Sequence, residues 1–253
     1  MQNQIALITG ASSGIGEATA KALAAKGYKL IITARRIDKL NDLAQHIENT
    51  YHVKVQCLAF DISDRDAMHE ALSYLPDDWR DIDVLVNNAG LALGLSPLQE
   101  GNEEDWDVVI DTNLKGLLYI TRALLPNMIK RGRGHIINLG SVAGHSAYPN
   151  GNVYCATKFA VRGLTDCLRI DVIDTPIRVT SVDPGMVETN FSNVRFKGDE
   201  ERAKQVYANF EPLKPEDIAD AIAYCATRPD HVTIGEMVLL PTCQASANYI
   251  HKQ

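Results

Sequence analysis

Ile5-Ala6-Leu7-Ile8-Thr9-Gly10-Ala11-Ser12-Ser13-Gly14-Ile15-Gly16 is the stretch whose reading decides the fold. A short apolar run of strand character enters a glycine-rich loop, and the loop enters the Ala-rich stretch Glu17–Ala25, whose composition is that of a helix. Strand, tight loop and helix form the unit that holds a pyrophosphate. Gly10 lets the chain turn sharply, Gly14 lets the backbone approach the phosphates, and Gly16 lets the helix pack tightly on the sheet. Unpaired N–H groups at the helix start receive the negative charge, and Ser12, Ser13 and Ile15 complete the loop. The spacing is Gly-x3-Gly-x-Gly, not the Gly-x-Gly-x2-Gly of the general dinucleotide fingerprint. Its position directly after an apolar strand is what gives it weight.

The same alternation continues outward. Further strand signatures are Leu30–Thr33, Val53–Leu58, Ile82–Val86, His135–Leu139, Ile177–Val182 and Met237–Leu240. They are short and rich in β-branched residues, as in strands buried on both faces. Helical periods fill the gaps at Ile37–Asn49, Glu103–Lys130, Val153–Asp174 and Pro215–Thr227. The last opens with Pro and then Glu216 and Asp217, which suits the positive end of a helix dipole. Repeated βα units predict one α/β domain, a Rossmann-type doubly wound, seven-stranded parallel sheet with helices on both faces. No linker, repeat or low-complexity segment divides it.

Composition narrows the class. The 253 residues carry a formal charge of −7, which opposes non-specific binding to nucleic acid. Five scattered cysteines with no Cys-x-x-Cys pair form neither a disulfide framework nor a zinc site, and no metal cluster is expected. Cys57 and Cys225 fall in apolar stretches and read as small core residues. No apolar run reaches membrane-spanning length. Met1-Gln2-Asn3-Gln4 lacks the basic start of a signal peptide, so a cytoplasmic location is expected.

The end of the second strand reads Thr33-Ala34-Arg35-Arg36, where an acidic residue would hold the ribose hydroxyl of NAD. Two guanidinium groups there favour a 2′-phosphate and hence NADP(H); the alternative is a solvated Arg pair at a helix start. Asp61 and Ile62 follow the third strand within reach of an adenine. Asn87-Asn88-Ala89-Gly90 follows the fourth, at the carboxyl edge of the sheet. For each, a plain strand-ending turn is the other reading.

Ser141 stands thirteen residues before Tyr154, and Lys158 follows Tyr154 by four, which places Tyr and Lys on one helix face. A phenol titrates at about 10. A nearby ammonium and an oxidised nicotinamide would favour the phenolate, so Tyr154 can serve as general acid for a carbonyl or general base for an alcohol. Ser141 would hydrogen-bond the same oxygen, and Lys158 would also hold the nicotinamide ribose. A routine surface contact between Tyr154 and Lys158 is the bland alternative, disfavoured by the glycine loop.

These motifs make the chain resemble a short-chain dehydrogenase/reductase from Ile5 onward. They occur in the family's order: Thr9–Gly16, Asn87–Gly90, Asn113, Ser141, Tyr154 with Lys158, then Pro184-Gly185. The resemblance implies that Asn113 completes a catalytic tetrad as part of a proton relay. It implies that residues after Pro184 and Gly185, including Val187 and Thr189, contact the nicotinamide carboxamide. It also implies a homotetramer formed through the helices at 103–130 and 153–174, where Leu114, Leu117, Leu118, Phe159, Leu164 and Leu168 are candidates for the interface. The alternative is that all six face the core.

The stretch Asn190–Asp199, the Arg pair and the tail Pro241–Gln244 resemble the NADP-dependent 3-hydroxy acid dehydrogenases, which act on serine, allo-threonine and 3-hydroxypropionate-like acids. A small acid needs a cation for its carboxylate. Arg195 is the first candidate and Lys197 and Arg162 the weaker ones. Residues 190–212 are expected to form a small substrate-capping lobe. A ketoacyl-thioester or general carbonyl reductase is the second reading. A non-catalytic NADP(H)-responsive interaction protein is the third, disfavoured because Ser141, Tyr154 and Lys158 are all present.

Overall fold

The computed structural model describes residues 4–252. Met1–Asn3, on which the reading of a missing signal peptide rests, lie outside the described residues. Seven strands, β1 (Ile5–Thr9), β2 (Lys29–Ala34), β3 (Val55–Ala59), β4 (Ile82–Asn87), β5 (Gly134–Leu139), β6 (Ile177–Pro184) and β7 (Glu236–Leu239), form one sheet. Their order is β3-β2-β1-β4-β5-β6-β7, and every pairing is parallel. The order reverses between β1 and β4, and that switch point is where such sheets bind ligands.

Helices cover both faces. In chain order they are α1 (Gly14–Ala25), α2 (Ile37–Tyr51), α3 (Arg65–Ser73), α4 (Glu103–Ile110), α5 (Leu117–Arg131), α6 (Asn152–Asp171), α7 (Phe191–Arg195), α8 (Glu200–Val206) and α9 (Pro215–Ala226). The period-two alternation of the strands divides the core. Ala6, Ile8, Leu30, Ile32 and Val86 pack with Leu23 of α1, Leu40 of α2 and Ile222 of α9. Ile5, Leu7, Ile31, Leu85 and Ile136 face the other way, onto Met68 of α3 and Ile120 and Met128 of α5. Successive strand residues point to opposite faces, so a near-continuous apolar run is what a sheet covered on both sides requires.

Several boundaries depart from the sequence reading. The helix expected over Glu103–Lys130 is broken by a wide π turn at Asp111–Gly116. The cause is tertiary: Asn113 turns in to bond Leu91, and a Cβ at Gly116 would lie 2.9 Å from Ile62 Cγ1. Such turns collect at functional sites. The helix α3 was not among the helices expected from the sequence; Asp64 caps it by accepting from the N–H groups of Asp66 and Ala67. Cys57 is half-buried, not a core residue, because β3 is an edge strand, whereas Cys225 is buried. Burial pushes both thiols up to about 11. Of the six candidate interface residues, Leu117 is buried, while Leu118 and Phe159 are exposed.

Residues 189–212 form an excursion closed at its base. Leu213 N donates to Met186 O and Glu188 N donates to Leu213 O, so the chain leaves and returns at one point. Within it, Ser192 Oγ donates to Tyr207 Oη, and Tyr207 Oη donates to Val187 O at 3.0 Å. No helix among the described residues is long and apolar enough to cross a membrane.

Candidate active site

A cleft of about 730 Å³ runs along the carboxyl edge of the sheet, from the loop after β1 to the excursion after β6. At one end lies the glycine loop. Gly10 has φ +66° and Gly14 has φ +57°, both in the left-handed region that favours glycine. Gly16 is required for a different reason. A Cβ there would lie 2.4 Å from Gly10 O and 2.5 Å from Asn88 Nδ2. Asn88 clamps the loop by donating to Thr9 O and Gly10 O, and Thr9 Oγ1 accepts from the N–H groups of Asn88 and Ala89. The loop is thereby fixed to the end of β4. Ser13 makes no side-chain cap at the α1 N-terminus, which leaves the first-turn N–H groups for a ligand.

Arg35 and Arg36 line the cleft at the end of β2. Arg36 Nη2 lies 3.4 Å from Ser12 Oγ, and Arg35 Nη1 lies 3.8 Å from Asp61 Oδ2. Both side chains are exposed, so neither commitment is strong. Asp61 also makes a strand-ending turn, accepting from the N–H and hydroxyl of Ser63. Ile62, Ala89, Gly90, Pro184, Gly185, Val187 and Thr189 line the same cleft. A glycine cradle with an uncapped helix start and two exposed guanidinium groups fits a dinucleotide bearing an extra phosphate.

Ser141, Tyr154 and Lys158 meet on one wall. Ser141 caps a short turn, Val142–Gly144, by accepting from Ala143 N. Its hydroxyl donates to Pro184 O and lies near enough to the Tyr154 phenol to pull its pKa down. Tyr154 and Lys158 project from the first turns of α6, and Lys158 Nζ lies 5.9 Å from the Tyr154 ring centroid. Lys158 is buried and donates to Leu139 O at 2.8 Å. Burial brings its ammonium down to about 8, with Asp183 pulling the other way. Asn113 accepts from Leu91 N and donates to Leu91 O and Thr157 Oγ1, and Thr157 in turn donates to Tyr154 O. Asn113 therefore braces the helix turn that carries Tyr154.

The expected lowering of the Tyr154 phenol by Lys158 is not found. Burial pushes the phenol up, as does the neighbouring Tyr148, while the Ser141 bond and the Arg195 charge pull it down. The reason is that Lys158 turns its ammonium to the Leu139 carbonyl.

Among the three candidate carboxylate-binding cations, only Arg195 lines the cleft. Its guanidinium stands 5.3 Å from the Tyr148 ring centroid and 5.6 Å from that of Tyr154. Arg195 Nε donates to Gly94 O, and Gly94 N donates to Arg195 O at 2.9 Å. This reciprocal pair fixes the arginine over the Tyr154 ring. Lys197 instead pairs with Asp105 at 2.9 Å, and Arg162 with Glu236 at 3.1 Å. Phe191 packs edge-on against Tyr154, with centroids 5.5 Å apart.

Two contributors carry no local motif. Tyr148 lies under Arg195, and the tail places Gln244, Ala247, Asn248 and Ile250 on the cleft wall. Gln244 Oε1 accepts from Met186 N at 2.9 Å, and Asn248 Nδ2 donates to Ala147 O. The one available signal was the unusual tail sequence after Pro241.

Known proteins agree with this geometry. The family model described as short chain dehydrogenase matches residues 4–200. The chain is 49% identical over 245 residues to the NADP-dependent 3-hydroxy acid dehydrogenase YdfG of Salmonella typhi, covering 96% of this chain and 97% of that one. It is 45% identical to the NADP-dependent 3-hydroxy acid dehydrogenase of Schizosaccharomyces pombe, covering 98% and 96% of the two chains. A closed form of serine dehydrogenase complexed with NADP+ superposes with a TM-score of 0.92 at 44% identity, over 99% of this chain and 100% of that chain. The serine dehydrogenase from Escherichia coli gives 0.83 at 40% identity, over 96% and 100%. From the glycine loop to the Ser141, Tyr154 and Lys158 wall, the chain belongs to the short-chain dehydrogenase family.

Proposed function

We propose that this NADP-dependent oxidoreductase moves a hydride between NADP(H) and the C3 position of a small 3-hydroxy acid or its 3-oxo form. Serine, allo-threonine and the 3-hydroxypropionate/malonic semialdehyde pair are the substrate types. Arg195 carries the proposal. It is the cleft-lining guanidinium beside Tyr154, whereas Arg35 and Arg36 stand at the opposite end. A 3-hydroxy acid separates its reacting oxygen from its carboxylate by a short carbon bridge, which suits a cation stacked beside the proton donor.

Bound at the glycine loop and the Arg pair, NADPH supplies the hydride. The residues do the rest. Arg195 receives the substrate carboxylate, and Ser141 donates a hydrogen bond to the C3 oxygen. Tyr154 gives its proton to that oxygen as hydride arrives at C3. In the oxidative direction, Tyr154 takes the proton from the alcohol. Since burial holds the phenol protonated, Tyr154 is poised as an acid for reduction. Lys158 holds the ribose and offers positive charge to the phenolate that reduction leaves. Asn113 is proposed for the proton relay, through the turn it fixes. The excursion at 190–212 caps the substrate, with Phe191 and Arg195 as its inner face. The outward Leu118 and Phe159 are proposed as part of a homotetramer interface.

The test is cofactor absorbance with NADP and a panel of L-serine, L-allo-threonine, 3-hydroxybutyrate and a neutral secondary alcohol. Turnover concentrated on the acids is the expected result. Turnover of the neutral alcohol alone would favour a general carbonyl reductase, and activity confined to ketoacyl thioesters a thioester reductase. A folded, NADP-binding but inert protein would favour an interaction role.

A further inference from the structure

The turn that carries Ser141 is gripped from behind by a buried carboxylate. Asp183, near the end of β6, is 1% exposed. Its Oδ1 accepts from Ser181 Oγ at 2.5 Å, and its Oδ2 lies 2.8 Å from His145 Nε2. An ionised carboxylate only accepts, so Nε2 is the His145 nitrogen that carries the hydrogen. Gly140 and His145 stand at the two ends of the Ser141 turn, and the carboxyl group meets both. A Cβ at Gly140 would sit 1.8 Å from Asp183 Oδ1, so Asp183 occupies the room that the glycine leaves. Between the two ends, Ser141 Oγ accepts from Ala143 N at 3.1 Å and donates to Pro184 O, the carbonyl that follows Asp183, at 3.5 Å. The turn also rests on α6, since a Cβ at Gly144 would lie 2.7 Å from Lys158 O. Glu236, the first residue of β7, lies 3.6 Å from the same His145 nitrogen and accepts from Arg162 Nε at 3.1 Å.

A buried carboxylate is costly unless hydrogen bonds answer it. Burial pushes the Asp183 carboxyl up, and the bonds from Ser181 and His145 pull it down. Ser181 belongs to β6 itself, so His145 is the partner that ties the strand to the turn. The bond from Ser141 to Pro184 O is long at 3.5 Å, and a substrate oxygen can replace it. The aim of the hydroxyl is then set by the backbone of the turn, which Asp183 fixes through Gly140 at one end and through His145 at the other.

We infer that His145 is a positioning residue: by bonding the buried Asp183 carboxylate, it holds the turn that aims the Ser141 hydroxyl at the reacting oxygen of the substrate. The inference rests on the reading of Ser141 as the residue that binds that oxygen. His145 acts through Asp183 and the turn, while Ser141 makes the contact.

The test is a double-mutant cycle on kcat, with NADP and the fastest substrate of the panel above, using the whole chain. His145→Leu removes the donor and keeps the bulk, and His145→Gln returns an amide N–H near the place of Nε2. His145→Leu is expected to lower kcat by about 10-fold, as a small misplacement of a catalytic group does, with NADP affinity held within about two-fold. His145→Gln is expected to recover most of that loss. Ser141→Ala should cost at least about five-fold less in the His145→Leu background than in the wild type, because the hydroxyl there is already misaimed. Should His145→Leu not fold, His145→Asn, whose amide falls short of Asp183, takes its place in the cycle. Normal turnover of the His145 variant overturns the inference, as does a Gln variant no better than Leu. Equal costs of Ser141→Ala in both backgrounds overturn it too, and leave His145 as a structural residue with Ser141 still in its role. If Ser141→Ala alone keeps normal turnover, the reading of Ser141 falls and the inference with it.

Discussion

The two ends of the cleft are built in different ways. The dinucleotide end is made of backbone: Gly10 and Gly14 in left-handed conformations, Gly16 pressed against Gly10 O, and an uncapped helix start, all from one continuous stretch. The substrate end is made of side chains gathered from distant segments. Arg195 comes from α7, Tyr148 from the loop before α6, Leu95 from the loop after β4, and Asn248 from the tail. A backbone site tolerates few sequences, whereas a side-chain site can be rebuilt by changing a loop. One fold can thus keep its cofactor chemistry while changing its substrate.

Substitutions that separate the two ends test this contrast. The largest effect is expected from Tyr154→Phe, which should lower turnover on the order of 10²–10⁴-fold and leave NADPH affinity within a few-fold, as read by steady-state kinetics and cofactor fluorescence. Loss of both together would mean that the two ends are not separable. Arg35→Ala combined with Arg36→Ala should weaken NADP binding by about 10–100-fold and barely change NAD binding, by titration calorimetry. Equal losses would remove the 2′-phosphate argument.

The pH dependence is smaller and has a defined sign. Lys158 is depressed from 10.5 to about 8, so the free enzyme loses its ammonium as pH rises through that value. The reductive kcat/KM is expected to fall above about 8. A profile flat to pH 10 would contradict a role for the ammonium. Because the unfolded chain holds this proton up to about 10.4 while the folded one releases it earlier, this group adds to stability as pH rises between the two values. The smallest effects are expected at the cations that point elsewhere. Lys197→Ala should change KM for acids by no more than about two-fold, since the exposed Lys197 pairs with Asp105 and does not line the cleft. A selective loss for acids would move the carboxylate site toward Lys197.

What the sequence revealed follows the same division. The parallel sheet was legible because strands buried on both faces must be apolar along their length, as Ile5–Ile8 and Ile82–Val86 are. The pairing of Tyr154 and Lys158 was legible because a helix turn fixes it. The break in the helix expected over residues 103–130 was not. It depends on Asn113 reaching Leu91, twenty-two positions away, and local periodicity carries no trace of that bond. Nor could Tyr148 or Asn248 be found, because their place on the cleft wall is set by how loops fold back. The cluster of His145, Asp183 and Glu236, of which only Asp183 is buried, spans 91 positions of chain and forms only when β6 and β7 pair.

Arg195→Ala is the measurement that bears most directly on the account, because it asks whether a single guanidinium makes this cleft read acids. kcat/KM should be compared for a 3-hydroxy acid and a neutral secondary alcohol in the wild-type and variant proteins. The account predicts a loss of about 10–100-fold for the acid, carried mainly by KM, with the alcohol changed by less than about three-fold. Equal losses for both substrates would contradict it and leave Arg195 as the strut that ties the excursion to Gly94.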